Sequence, residues 1–246
     1  MNTSSTSPPI TESSAARAAL TGSVRDRVRI GAGALRKLLR DPDDTKQVFL
    51  LGIVANGGSL PVFFTRFATS ADGARLLAER PTIDSTVVAT LRGMPESTLG
   101  GAYARYLDDN HLDADLFQAP PGLPDAVAYV AKRVRQTHDI WHVLTGYLPD
   151  VPGEVALQGF TFAQTRMPSA ALIATMGALR WARRDPTIVS RTLDGFRRGK
   201  RASFLASVRW EDHFARPLAD VRRDFGVAPI NTPAPAPGSA SASIAA

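Results

Sequence analysis

A chain of 246 residues, 44% hydrophobic and 21% charged, is long enough to bury a large core and too apolar to be disordered throughout. It has no cysteine, which excludes disulfides, thiolate metal sites and a cysteine nucleophile. Lys and Arg (29) outnumber Asp and Glu (23) for a net charge of +6, and only Lys37, Lys46, Lys132 and Lys200 are lysine. The excess is therefore arginine, whose planar fork suits phosphate and anionic lipid headgroups.

Residues 1–14 lack the charged-then-apolar order of a signal peptide and read as a disordered leader, Ser/Thr-rich like a weak transit peptide. Between Val24 and Leu39, apolar residues at Val28, Ala32, Leu35, Leu38 and Leu39 follow a helical period that Asp41-Pro42 stops. The apolar run Val48 to Ala55 ends at Asn56-Gly57-Gly58-Ser59, far short of the roughly 20 residues a membrane span needs. Ser70-Ala71-Asp72 caps a helix through Leu77, and Pro95-Glu96-Ser97 opens another that carries Tyr103, Tyr106 and Leu107. Pro124-Asp125 starts a helix with Val127, Val130, Val134, Trp141 and Leu144 on its apolar side and Gly146 as its stop.

Further helices are expected from Glu154 to Arg166, Ser169 to Arg184, Thr187 to Phe196, Ala202 to Phe214 and Pro217 to Phe225. No alternating strand pattern bounded by tight turns occurs. The expected fold is all-α: a single-domain multi-helix bundle over residues 15–229, followed by a Pro/Ala/Ser-rich disordered tail over 230–246. The basic clusters Arg180-Trp181-Ala182-Arg183-Arg184 and Arg197 to Arg201 are short and accompany no nucleic-acid module, so no nucleic-acid partner is expected.

Two of the four histidines, His138 and His142, lie four residues apart. On a helix they share an arc of about 100° with Asp139, so the three side chains can converge beside it. The connector 147–153 is short, Glu154 opens the next helix, and an antiparallel return brings its carboxylate back towards the histidines. Two imidazoles and two carboxylates form a ligand set for a divalent metal: zinc, iron(II) or manganese. A histidine pair near carboxylates is often only a hydrogen-bonded cluster. Here Trp141, Val143 and Leu144 flank the pair, and a buried group of this kind needs compensation that one cation provides.

His138, Asp139, His142 and Glu154 are thus the expected metal ligands, between two adjacent helices, and also the catalytic candidates. Thr161 and Gln164 share the helix face of Glu154 and are candidates to line a head-group pocket. Met94, Met167, Met176 and Leu172-Ile173 are candidates for an apolar cavity, although such residues are more often plain core. Arg180 or Arg184 can meet a phosphate or carboxylate, and His213 beside Glu211 and Asp212 reads as a surface cluster. Without a G-x-G-x-x-G or phosphate loop, nicotinamide and flavin chemistry have no support.

The run His138-Asp139-Ile140-Trp141-His142, then eleven residues, then Glu154, resembles the signature of the Coq-four family of ubiquinone (coenzyme Q) biosynthesis proteins. Arg135-Gln136-Thr137, Val143-Leu144-Thr145-Gly146-Tyr147 and Pro152-Gly153-Glu154 agree with it. So do Asp41-Pro42-Asp43-Asp44-Thr45, Met94-Pro95-Glu96-Ser97-Thr98-Leu99-Gly100, Leu112 to Phe117, and Trp210-Glu211 with Pro217-Leu218, in family order over residues 28–228. The departures, Phe225-Gly226-Val227 and Gly93, lie away from the ligands.

The resemblance implies an all-helical fold, a metal (zinc by family convention) at those four positions, and an apolar cavity for a polyprenyl chain. It implies replacement of the C1 carboxyl of a ubiquinone precursor by a hydroxyl. The implied partners are the polyprenylated precursor and other ubiquinone biosynthesis proteins, with peripheral membrane contact and a homodimer left open. The implied place is the membrane-associated bacterial cytoplasm, or the matrix side of the mitochondrial inner membrane in a eukaryote. Two other readings stand beside the enzyme. One is a non-catalytic lipid-binding scaffold for which a four-ligand zinc site is closed and structural. The other is a metal-dependent phosphohydrolase of the His-Asp type, with His111 as its upstream histidine.

Overall fold

The structure, a computed structural model, describes residues 23–40, 51–52, 54–116 and 124–230. The expected leader, the tail beyond residue 230 and the Asp41-Pro42 stop lie outside these residues. The described chain is helical, and its only β-type pairing there is an isolated antiparallel bridge between Thr98 and Pro217.

Helix α1 spans Val24–Arg40. Ser23 Oγ caps it by accepting from the Asp26 amide at 3.2 Å, and its hydroxyl donates to the Asp26 carboxylate. Helix α2, Leu60–Thr69, buries Phe63 and Phe67. Ser70 ends it and caps α3, Ala71–Glu79, by accepting from the Gly73 amide at 3.1 Å. Helix α4, Ser85–Leu91, is capped by Asp84, and α5, Leu99–Asp109, by Thr98. The helix expected from Pro95 therefore begins four residues later, because the Thr98 hydroxyl takes up the Gly101 amide.

Helix α6, Asp125–Gln136, and helix α7, His138–Thr145, replace the single helix expected from Pro124 to Gly146. The chain breaks at Thr137, whose hydroxyl turns back to the Val134 carbonyl. Beside the break the Gln136 amide is anchored on Thr82 Oγ1 at 3.0 Å and the Ile83 carbonyl. Helix α8, Val151–Thr165, is apolar on nearly every side and lies at the centre of the molecule. Helices α9, Pro168–Trp181, and α10, Ile188–Arg201, pack against it, and α11, Leu218–Asp224, closes the fold beside α5.

Ala202 to Phe214 is not the helix its composition suggests; it holds two 3-10 turns, Leu205–Ser207 and Trp210–Asp212. Leu205, Ala206, Ser207, Val208, Trp210 and Phe214 are all buried, more than one helix face can bury. Tertiary bonds replace the helical ones: Leu205 N–H donates to Gln164 Oε1, and the fully buried Arg133 donates to both Glu211 oxygens at 2.7 Å.

The α8–α10 seam is made by glycine. A Cβ on Gly195 would lie 2.2 Å from the Ala156 carbonyl oxygen, and one on Gly159 2.3 Å from that of Thr192. Gly195→Ala should therefore push two backbones apart, costing about 1–3 kcal/mol. Thermal unfolding checks this, with an expected fall of roughly 2–10 °C. An unchanged midpoint would show that the seam tolerates a side chain.

Candidate metal centre

The site is built where α7 ends and α8 begins, and both of those ends are capped. Helix α7 stops at Gly146, whose φ of +79° favours glycine and whose amide bonds the His142 carbonyl at 2.8 Å. The remaining terminal carbonyls of α7 are also taken: Arg222 donates to Val143 and Leu144 at 2.8 and 2.9 Å, and the Ile230 amide to Thr145. Asp150 caps α8 through the Gly153 amide at 2.7 Å. A Cβ on Gly153 would lie 2.0 Å from the Leu148 carbonyl, so the connector is tight and fixes where Glu154 emerges.

His138, Asp139 and His142 offer ligand atoms that all lie within 4.8 Å of one another. Glu154 joins them from the first turn of α8, with Oε1 3.0 Å from His142 Nε2 and Oε2 3.9 Å from His138 Nε2. The helices do not pack along their lengths as an antiparallel pair would; α7 lies on α5 while α8 lies on α9 and α10. Only the connector end of α8 reaches the site, and that is enough to deliver the carboxylate. His142 is fully buried, whereas the side chains of His138, Asp139 and Glu154 retain 23%, 18% and 32% exposure, so the site opens on one side.

His142 Nδ1 lies 2.9 Å from the Tyr147 carbonyl, which can only accept, so Nδ1 carries the hydrogen. In the neutral ring Nε2 is then a bare lone pair facing a carboxylate. Both His142 Nε2 and His138 Nε2 are buried and neither accepts from a donor; each faces Glu154 instead. Tetrahedral ligands on bonds of 2.0–2.1 Å sit about 3.3 Å apart, and the spacings here, 3.0 and 3.9 Å to Glu154 and up to 4.8 Å within the helix trio, bracket that value. A backbone carbonyl fixing the tautomer of a ligating imidazole is a common support for such sites. The residues present thus fit a divalent cation.

Burial works against a charge on His138, but Asp139, 3.7 Å from its Nδ1, and the field of Glu154 prevail and raise its pKa. Burial would raise that of Glu154, but His142 and His138 beside it hold the carboxyl below its ordinary value. Tyr106 of α5 was legible only as an apolar helix position. Its ring stacks on His142 with centroids 5.5 Å apart and 19° between planes, and its buried hydroxyl has no partner. Burial, with Asp139, Glu154 and Asp150 nearby, pushes the phenol well above its usual range.

Other candidates fall elsewhere. Gln164 is buried and its amide is engaged by the Gly199 carbonyl and the Leu205 amide, so it ties α8 to its neighbours. The Thr161 hydroxyl is buried and unpartnered. Met94 and Met167 pack on the core, while Ile173 and Met176 stand on the outer side of α9, so these residues do not line one cavity. Arg184 stacks on Trp181, and Arg180 lies on the same exposed end. His213 is not a surface cluster: it accepts from Arg216 and packs against Trp210 and Phe225. His111 occupies an exposed turn with φ of 54° and is not in the cluster, so the phosphohydrolase arrangement is not formed.

The family model for "Coenzyme Q (ubiquinone) biosynthesis protein Coq4" matches residues 20–231. The Bos taurus mitochondrial ubiquinone biosynthesis protein COQ4 homolog is 30% identical over 211 residues, covering 83% of this chain and 79% of its own. The Drosophila ananassae homolog, also mitochondrial, is 30% identical over 210 residues with the same coverage. A crystal structure of a ubiquinone-biosynthesis candidate from Nostoc punctiforme superposes with a TM-score of 0.65 at 24% identity, covering 81% of this chain and 97% of that one. The chain belongs to the Coq4 family, and its role lies in ubiquinone biosynthesis.

Proposed function

We propose that the chain acts on the aromatic head group of a polyprenylated ubiquinone precursor, with a divalent metal held by His138, Asp139, His142 and Glu154. The observation that carries this reading is the pair of buried imidazole Nε2 atoms turned on one carboxylate, at 3.0 and 3.9 Å from the two oxygens of Glu154. When bound, the metal (zinc first, iron(II) or manganese otherwise) supplies a Lewis acid for an aryl carboxylate and, as iron, a site for oxygen. The protein holds the ligands: Tyr147 fixes the His142 tautomer, Arg222 anchors the end of α7, and Asp150 sets the start of α8. The open side at Glu154 and His138 is where the C1 carboxyl would enter; its loss as CO2 and replacement by hydroxyl is a two-electron oxidation with dioxygen as oxidant, which iron at the site would support, whereas zinc would support only the loss of CO2. The arginine-rich surface suits a peripheral membrane position, and no helix among the described residues is long and apolar enough to cross a membrane.

Metal analysis of the purified protein, with mass spectrometry of lipids extracted from it, tests the reading directly. The pH dependence adds a second check. Metal binding requires neutral His138, and a raised value means that the proton competes at a pH above the ordinary histidine value of about 6.5. Glu154, held low, stays ionised throughout this range. Affinity should therefore be full near pH 8 and fall steadily towards about pH 5.5, with proton release on binding. In metal-free protein the sign reverses: the protonated His138 pairing stabilises below the ordinary value and is lost as pH rises through the raised one. A pH-independent affinity would remove the histidines from the ligand set.

A further inference from the structure

Three side chains with a buried polar atom that no donor or acceptor of the protein satisfies pack ring to ring: His138 and His142 with centroids 5.0 Å apart, and Tyr106 stacked on His142 at 5.5 Å. A cation satisfies the two nitrogens, whose lone pairs face carboxylates. It does nothing for Tyr106, whose neutral O–H is a donor. No protein group takes up the Tyr106 O–H, so it is free to donate to an acceptor on a bound molecule. The acceptors nearest in field, Asp139, Glu154 and Asp150, do not bond it. Stacking on His142 holds the ring in place while the hydroxyl stays free.

The chemistry around it defines the missing acceptor. Once the site is loaded the imidazole lone pairs are taken by the ion, and the carboxylates of Asp139 and Glu154 offer acceptors but no donor. A carboxylate arriving at a cation there sets one oxygen on the ion and leaves the other among negative groups, where it needs a donor. Resting on the metal reading of this site, we propose that Tyr106 contacts the substrate: its hydroxyl donates to the metal-distal oxygen of the aryl carboxylate. It holds the carboxyl plane relative to the ring and selects head groups that carry an anionic oxygen over those that have lost it.

The test uses full-length protein and Tyr106→Phe, each loaded with cobalt(II), with 4-hydroxybenzoate as the probe. Cobalt absorption reports both occupancy and probe entry. The substitution keeps the stacked ring and deletes only the O–H. Cobalt content should be unchanged, and the melting temperature equal to or above wild type because an unpaired buried hydroxyl is removed. Affinity for 4-hydroxybenzoate should weaken by about tenfold to a hundredfold, the usual cost of losing a hydrogen bond to a charged group. Equal probe affinity in the two loaded proteins overturns the role of Tyr106 and leaves the metal reading standing. A lower melting temperature or loss of cobalt in the variant overturns it too, because the hydroxyl would then be structural. A wild type that takes up no cobalt overturns the metal reading itself.

Discussion

Replacing His142 by alanine should take bound metal from about one equivalent per chain to almost none. His142 is the one fully buried ligand candidate, and its Nδ1–H is fixed by the Tyr147 carbonyl, so its Nε2 points at Glu154 with little freedom. Losing a supporting residue around a metal commonly costs about 10–100-fold in affinity, and losing a ligand costs more. What remains, one imidazole and two carboxylates, binds zinc-type ions weakly. Ligation also links to stability: at a thousandfold excess over Kd, metal stabilises the wild type by about 4 kcal/mol. The variant should gain almost nothing from added metal, which a thermal melt with and without zinc would show. The alanine also leaves a space beside the Tyr106 ring, so the metal-free melting temperature should fall as well. Stoichiometric metal in a folded His138→Ala/His142→Ala protein removes the four-ligand site.

The clustering of His138, Asp139 and His142 with Glu154 was legible because its spacing is local. His138, Asp139 and His142 sit at i, i+1 and i+4, and one short connector places Glu154. The helical class was legible for a similar reason, since Ser70 and Gly146 punctuate runs of helical period. What escaped depends on partners remote in sequence. Helix α2 hides behind Pro61 and a cluster of phenylalanines, and α4 is only seven residues long with Thr86, Val87 and Val88 inside it. The break at Thr137 follows from anchors at Thr82 and Ile83, far back in the chain. Residues 202–214 have an apolar content that a helix would expose on one side; burying it on all sides required 3-10 turns and the Arg133–Glu211 pair. Tyr106 and Arg222 approach α7 from α5 and α11, and nothing in their own neighbourhoods marks them. Helical counting put Gln164 on the face of Glu154 correctly, but its amide is taken by α10 and the following turn.

Whether the site performs chemistry turns on Glu154. It comes from a different helix from the other three candidates and is the most exposed of the four, so it is the ligand best able to move aside. Two neutral imidazoles and two carboxylates leave a divalent complex with no net charge, able to accept an anionic aryl carboxylate. Glu154→Gln keeps the size and one oxygen ligand but removes a negative charge. The complex becomes positive, so a carboxylated precursor should bind at least as well while the metal is held less tightly. As an enzyme, the metal-restored variant should bind precursor yet accumulate the C1-carboxylated form in cells, with ubiquinone reduced at least about tenfold. As a scaffold, with a closed structural ion, head-group processing should stay normal whenever the protein folds and its partners bind. Complementation of a quinone-deficient strain separates the two, with intermediates read by mass spectrometry and metal content measured on the same cells. Full ubiquinone production by a folded, metal-free variant would sink the catalytic reading and leave the scaffold. Carboxylated precursor accumulating beside folded, metal-loaded Glu154→Gln protein would place the chemistry at this carboxylate.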